Sequence, residues 1–192
     1  MAVLSNTEII RALDEGRLVI EPRPMPEPGD GGDTPYDTVS VDLRLAAEIY
    51  VPVTGTNINL DVGKRVGVGK TLQTVFTAKT IGDGDTYKLD AGEFILGRTM
   101  EAVSLPVGEA CLAARVEGRS SLARQGLIVH FTAPTIHTDF NGTITLEMIN
   151  LGKMPLILMP GMRICQLIVE SVIGVPTPVG PSQFQNQQTP AG

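Results

Sequence analysis

Apolar positions recur along the chain in two rhythms. Near the N-terminus, Ile9, Ile10 and Leu13 form a helical stripe. Ser5 precedes that stripe and Glu8 follows three residues later, a capping-box spacing. Leu4 and Ile9 stand at the two staple positions, and Gly16 supplies a stop, so the pattern predicts a helix from Leu4 to Arg17. Beyond it, Pro22, Pro24, Pro26, Pro28 and a GDGGD run predict an irregular surface loop over Leu18–Pro35. From there the rhythm changes to alternation. Val39, Val41, Leu43 and Leu45 share one face and Ser40, Asp42 and Arg44 the other, as in a half-buried strand.

Short alternating or β-branched runs continue to residue 173. The expected strands are Ile58–Val62, Leu72–Ala78, Thr86–Leu89, Phe94–Thr99, Ala110–Glu117, Leu127–Thr132, Thr143–Ile149, Leu156–Met159 and Met162–Ile173. Asp139–Gly142 reads as a turn, with Asn141-Gly142 its hairpin signal, and Pro160-Gly161 splits the last two strands. Gly118–Gln125 reads as a polar segment of one helical turn closed by Gly126. The tail over 176–192 has no periodicity and reads as a flexible lid. Roughly ten short strands at this spacing predict one mainly β domain over 1–192, an antiparallel sandwich or barrel with a short N-terminal helix over 1–17.

Composition narrows the class. A net charge of −6 gives no basic field for a nucleic-acid polymer or an anionic membrane. Aromatics at 4% and the absence of Trp argue against stacked-base platforms. The two cysteines, Cys111 and Cys165, read as reduced, buried thiols. No leader pattern and no membrane-length apolar run occur, so a cytoplasmic protein is expected.

Candidate chemistry concentrates between Arg115 and Gly152. In GRSSLARQG, Gly118 permits a tight turn followed by outward backbone N–H groups, Ser120 and Ser121 add hydroxyls, and Arg119 and Arg124 add guanidinium forks. Spacing alone leaves two readings open, a solvated surface turn or a phosphate cradle. Glu147 shares a strand face with Thr143 and Thr145, opposite Ile144, Leu146 and Met148. It reads either as a solvent-facing residue or as a general base and acid lining a cleft. His130 reads as a strand residue. Neither His130 nor His137 opens an H-x-E triplet, no P-C-x-x-C or H-E-x-x-H occurs, and protein-bound zinc is not expected. No G-x-S-x-G frames a serine nucleophile. GVGKT at Gly67–Thr71 lacks the first glycine of a P-loop, since Lys64 stands there, and reads as a strand-connecting turn.

Four segments in order carry a stronger signal. They are E-G-R-S-S-L-A-R-x-G at Glu117–Gly126, V-H-x-T-A at Val129–Ala133, G-x-I-x-L-E-x-x-N at Gly142–Asn150 and P-G-M-x-I-x-Q-L at Pro160–Leu167. GRLVIEPRP at Gly16–Pro24, SVDLRL at Ser40–Leu45, GEFILGRTME at Gly92–Glu101 and QNQQ at Gln185–Gln188 extend the match. Together they resemble the dCTP deaminases of the trimeric dUTPase superfamily. The resemblance implies a distorted, jelly-roll-like β-barrel, a homotrimer with shared active sites, and zinc-independent deamination of dCTP to dUTP and ammonia. A runner-up is a bifunctional enzyme that also releases pyrophosphate, and a third is a non-catalytic nucleotide-binding module on the same fold.

The resemblance assigns catalysis to Glu147, Arg124 and Ser120. It assigns substrate binding to Arg119, Ser120, Ser121, Leu122, Ala123, Arg124, Ala133, His137, Thr145, Leu146, Gln166 and Gln187. Magnesium is expected to arrive with the triphosphate, without a protein cage. The chain departs from the family at His137, where a carboxylate is usual, and at Gln183-Phe184, where a Lys-Tyr pair is usual. It also looks shortened before the lid.

Overall fold

Ser5 opens the first helix, α1 (Asn6–Asp14), and its hydroxyl accepts from the Glu8 amide at 3.4 Å. The Glu8 carboxylate pairs with Arg11 at 2.8 Å and does not return to the cap. Ile9 and Ala12 face inward, fully buried, and Gly16 ends the segment at φ +69°. The computed structural model describes residues 2–55, 59–60, 68–131 and 134–177, with the side chains of 68–71 outside that description.

Eleven strands follow among the described residues. β1 (Val19–Glu21) lies where an irregular loop was expected. It pairs antiparallel with the far end of β6 (Phe94–Ser104), from Val19↔Ser104 to Glu21↔Ala102, before the prolines stop it. β3 (Glu48–Pro52), β4 (Phe76–Thr80), β6, β8 (Leu127–Val129) and β9 (Asn141–Asn150) complete a six-stranded sheet in the order β4-β3-β6-β9-β8. β2 (Val41–Arg44), β11 (Arg163–Ser171) and β7 (Leu112–Gly118) form a second sheet in the order β2-β11-β7. β5 (Tyr87–Leu89) and β10 (Leu156–Leu158) pair as a two-stranded sheet. The fold is mainly β, in three sheets, with the core between them. Leu43, Leu45, Ile49, Ile95, Leu146, Met148 and Ile164 lie in that core.

Four local expectations are corrected. The first half of Leu72–Ala78 is helical, in α2 (Val68–Val75), and Val68–Thr71 begins that helix and forms no turn. Its β-branched residues argued for a strand, but Leu72 and Phe76 pack on Tyr50 and Leu96, and tertiary packing overrides propensity. Much of the polar side of Ser40–Arg44 is covered: Ser40 is 4% and Asp42 7% exposed, while the Arg44 side chain stays 38% exposed and Val39, expected on the apolar side, is exposed. The turn before β9 falls on Thr138 and Asp139, with Asp139 at φ +78°, and Asn141 already belongs to the strand. The expected strand Ile58–Val62 lies largely outside the described residues, and the part that is described forms no strand.

Gly126 fixes how α3 (Ser120–Ala123) meets the sheet. Its φ is +98°, and a Cβ there would meet the Gly152 Cα at 2.6 Å. Leu151 N–H donates to Gly126 O at 2.8 Å across this contact. Only a residue without a side chain permits so close an approach.

Candidate active site

The inner residues of β9, Ile144, Leu146 and Met148, are buried in the core, so Thr145 and Glu147 face outward, partly exposed. Across the ladder, Leu96 of β6 opposes Glu147 and Arg98 opposes Thr145. The other flank is β8. It pairs from Leu127↔Asn150 to Val129↔Met148, and His130 N–H then donates to Glu147 O at 2.8 Å. His130 adopts φ +69° and turns its ring onto the same face. Its Nδ1 lies 3.2 Å from Glu147 Oε2, and the side chains are 10% and 32% exposed respectively. The line between these atoms is off hydrogen-bond alignment and neither has another partner, so the contact is a close charge pair when the ring is protonated.

Desolvation of the Glu147 carboxyl would raise its pKa. His130, the Glu147 amide and the Phe131 amide outweigh that and hold it below the ordinary glutamate value. The result is a partly dry carboxylate that is ionised at neutral pH, the state a general base requires. Arg98 extends the row, 3.7 Å from Glu48.

A second cluster forms at the end of β7. Arg119 is the N-cap residue of α3, but its side chain caps nothing. The Leu122 and Ala123 amides donate to Arg119 O and the Arg124 amide to Ser120 O. The amides of Ser120 and Ser121 therefore stand ahead of them, at the open start of the turn. Ser120, Ser121, Ala123 and Arg124 are exposed and Leu122 is half-buried. The Arg119 guanidinium reaches Asp42 at 3.4 Å and donates to Arg163 O at 3.4 Å. Asp42 opposes Gln166 in the β2–β11 ladder, and Gln166 Nε2 donates to Ser40 Oγ at 3.2 Å. Burial pushes the Asp42 carboxyl above its ordinary value, against the pull of Arg119, Gln166 and Arg163. Arg163 Nη1 lies 3.8 Å from Asp42 and donates to Asp33 Oδ1 and Thr34 O, each at 3.0 Å.

Arg119 and Gln166 thus converge on one buried carboxylate. Among the described residues, no hydrogen bond or ion pair joins Arg119, Ser120, Ser121 or Arg124 to Glu147. β8 leaves the turn at Leu127 and reaches His130, beside Glu147, about 10 Å further along the strand. A cavity of about 300 Å³ lined by Ala47, Ile81, Asp83, Asp85, Met159 and Pro160 shares no residue with either cluster.

His137 lies just before the turn into β9, exposed, with Nδ1 2.7 Å from Thr138 O. A carbonyl only accepts, so Nδ1 carries the proton and Nε2 is the free acceptor of the neutral ring. Leu146 is fully buried, so only its backbone is available to a ligand. Ala133 and Gln187 lie outside the described residues, as do Gln183-Phe184 and the tail from 178 onward. Sequence reasoning missed the pairing of His130, the burial of Asp42 and the contacts of Arg163 with Asp42, Asp33 and Thr34. One signal was available: an acid in a strand of β-branched and apolar residues is disfavoured unless something compensates it.

A family profile described as dCTP deaminase-like matches residues 3–172. A dCTP deaminase of Rhodospirillum rubrum is 40% identical over 171 residues, which are 88% of this chain and 83% of that protein. A protein of Methanosphaera stadtmanae named "dCTP deaminase, dUMP-forming" is 37% identical over 172 residues, 90% of this chain and 80% of that one. The crystal structure of 2′-deoxycytidine 5′-triphosphate deaminase from Agrobacterium tumefaciens superposes with a TM-score of 0.63 at 18% identity. That match covers 87% of this chain and 47% of the longer one, and it shows the fold. With a profile over residues 3–172 and relatives of this identity and coverage, the chain belongs to the dCTP deaminase-like family.

Proposed function

We propose that the chain catalyses hydrolytic deamination of dCTP to dUTP and ammonia without zinc, acting on a cyclic amidine C–N bond. The observation that carries this reading is the Glu147 carboxylate, held ionised beside His130 on a partly exposed sheet face. Glu147 takes a proton from the water that attacks C4 of the cytosine. It returns protons to the ring nitrogen and to the departing amine, so one water is consumed and one ammonia leaves. Arg124 and Ser120 orient the reacting base. Arg119, Ser121 and the amides at the start of α3 hold the triphosphate, with Leu122 and Ala123 shaping the turn. Thr145 and the Leu146 backbone read base and sugar, together with Ala133 and His137. Gln166 and Gln187 add nucleotide contacts. Magnesium is part of the nucleotide substrate, and this chain's residues bind the phosphates that carry it.

This reading includes a homotrimer with shared active sites, as the family resemblance implies. The protein is expected in the cytoplasm, with no nucleic-acid polymer or membrane as partner. Among the described residues no helix is long and apolar enough to cross a membrane.

A second reading is a bifunctional enzyme that also releases pyrophosphate. It is favoured by the dUMP-forming relative and by Asp139, two residues from the position where His137 replaces a carboxylate. A panel of dCTP, dCMP, CTP and dUTP with ammonia and pyrophosphate readouts decides. Ammonia and dUTP from dCTP, without pyrophosphate, is the expected result. Pyrophosphate from dCTP or dUTP establishes the second reading, and binding without any turnover leaves a nucleotide-binding module.

A further inference from the structure

We infer that Phe131 is a positioning residue for Glu147: seated edge-on against Phe94, it holds the left-handed turn at His130 and with it the His130–Glu147 contact. Its bearing on catalysis rests on the deaminase reading above; its bearing on the carboxylate does not.

The β8–β9 pairing ends as His130 N–H donates to Glu147 O, and the backbone turns away at φ +69°. Among the described residues other than glycine, only His130 and Asp139 have positive φ. A residue with a side chain persists in that region only when its surroundings impose it. The residue that follows carries the restraint. Phe131 is 47% exposed, so burial in the core does not explain its place. Its ring centroid lies 6.0 Å from that of Phe94 at 64°, and Phe94 lies 6.1 Å from Phe76 at 62°. These are edge-to-face contacts, which fix ring orientation as well as distance.

Phe94 pairs with Ile149 on β6–β9, two residues along the same face from the Leu96–Glu147 pair. Phe76 opens β4 and packs, with Leu72 of α2, on Tyr50 and Leu96. An aromatic row therefore runs from the α2–β4 segment across the sheet to the turn that places His130. The same turn directs the Phe131 amide toward the carboxylate, one of the groups that keep it ionised. The charged groups sharing this face are His130 at the end of β8, Arg98 on β6 and its partner Glu48 on β3. Moving the turn changes the first of these and the amide, and leaves the Arg98–Glu48 pair in place.

The test titrates the Glu147 carboxyl by carbon-13 NMR in the nucleotide-free protein, with Glu147→Gln assigning the resonance. Phe131→Ala should move the midpoint upward, toward an ordinary glutamate, and lower kcat on dCTP on the order of tenfold or more with little change in KM. Phe131→Leu, which keeps an apolar contact, should fall between. Phe94→Ala should shift the midpoint in the same direction, and the double variant should shift it no further than the larger single change. A midpoint unmoved in folded Phe131→Ala and Phe131→Leu overturns the proposal, whatever happens to melting temperature. If the wild type releases no ammonia from dCTP while the midpoint still moves, the positioning role stands and the reaction assignment fails. Ammonia release with an unmoved midpoint sinks the positioning role alone.

Discussion

Asp42 offers a perturbation whose structural and functional consequences should separate. Asp42→Asn keeps the shape and removes the charge. The residue is 7% exposed and meets Arg119 at 3.4 Å and Arg163 at 3.8 Å. Burial raises its carboxyl pKa despite those cations, so desolvation outweighs the attraction. A neutral isostere therefore relieves the desolvation penalty while giving up the ion pairs, and the net change in stability should be about 1 kcal/mol or less. In a chain of this size that is about 2–4 °C in Tm. A carboxyl with a raised folded-state pKa is protonated at higher pH in the folded than in the unfolded state. The wild type should therefore gain stability relative to Asp42→Asn as pH falls through that raised value toward about 4.

Nucleotide binding should respond more strongly. Arg119 is held at this carboxylate by an ion pair and Gln166 lies opposite it in the ladder, and an interaction with a charged group contributes roughly 1.5–3 kcal/mol. The Arg119 contact is long and its side chain is 31% exposed, so the lower end applies. A loss of about 1.4 kcal/mol raises KM for dCTP about tenfold. With kcat held within about threefold, that is the signature of lost uniform binding. Steady-state kinetics and a thermal melt on the same preparation give both numbers. An unchanged KM would refute the positioning argument, and a Tm loss beyond about 10 °C would make Asp42 a structural keystone instead.

Two further changes address the opposite cluster and the joint between them. His130→Gln removes a group that lowers the Glu147 pKa, so the acid limb of kcat/KM should move to higher pH; a limb that stays put would mean that His130 does not act on the carboxylate. The depressed Glu147 pKa also contributes stability above the ordinary glutamate range, lost as pH falls through the folded value, and the variant should lack the part of it due to His130. Gly126→Ala places a Cβ against the Gly152 backbone at φ +98°, and should cost about 1–3 kcal/mol in chemical denaturation while displacing the α3 turn. A variant as stable as the wild type would show that this contact yields freely.

Patterns that depend only on neighbouring residues were legible in the sequence. The stripe of Ile9, Ile10 and Leu13 and the Ser5 cap marked α1, and alternation of Ile144, Leu146 and Met148 placed Glu147 on the outer face of its strand. Other features depended on partners distant in sequence. Alternation predicts a solvated polar side for Ser40–Arg44, yet Arg119 and Arg163, more than seventy residues on, meet Asp42, and Asp42 and Ser40 are covered. The β-branched Thr74 and Val75 predict a strand at residues 72–75, and contact of Leu72 with Tyr50 and Leu96 has no local signature. Asn141-Gly142 suggested the turn, but the connection from β8 makes its own turn earlier, at Thr138–Asp139. The partner of His130 became visible only with the β8–β9 register, because one residue of slip would send its ring to the other face.

Glu147 is assigned the proton transfers of a dCTP deamination. The most direct test of that assignment is ammonia release from dCTP by wild type and Glu147→Gln, with nucleotide binding measured on both by calorimetry. The predicted result is stoichiometric ammonia and dUTP from the wild type. The variant should bind dCTP but lose turnover by about 10²-fold or more. A folded Glu147→Gln variant that still releases ammonia at a comparable rate would contradict the account.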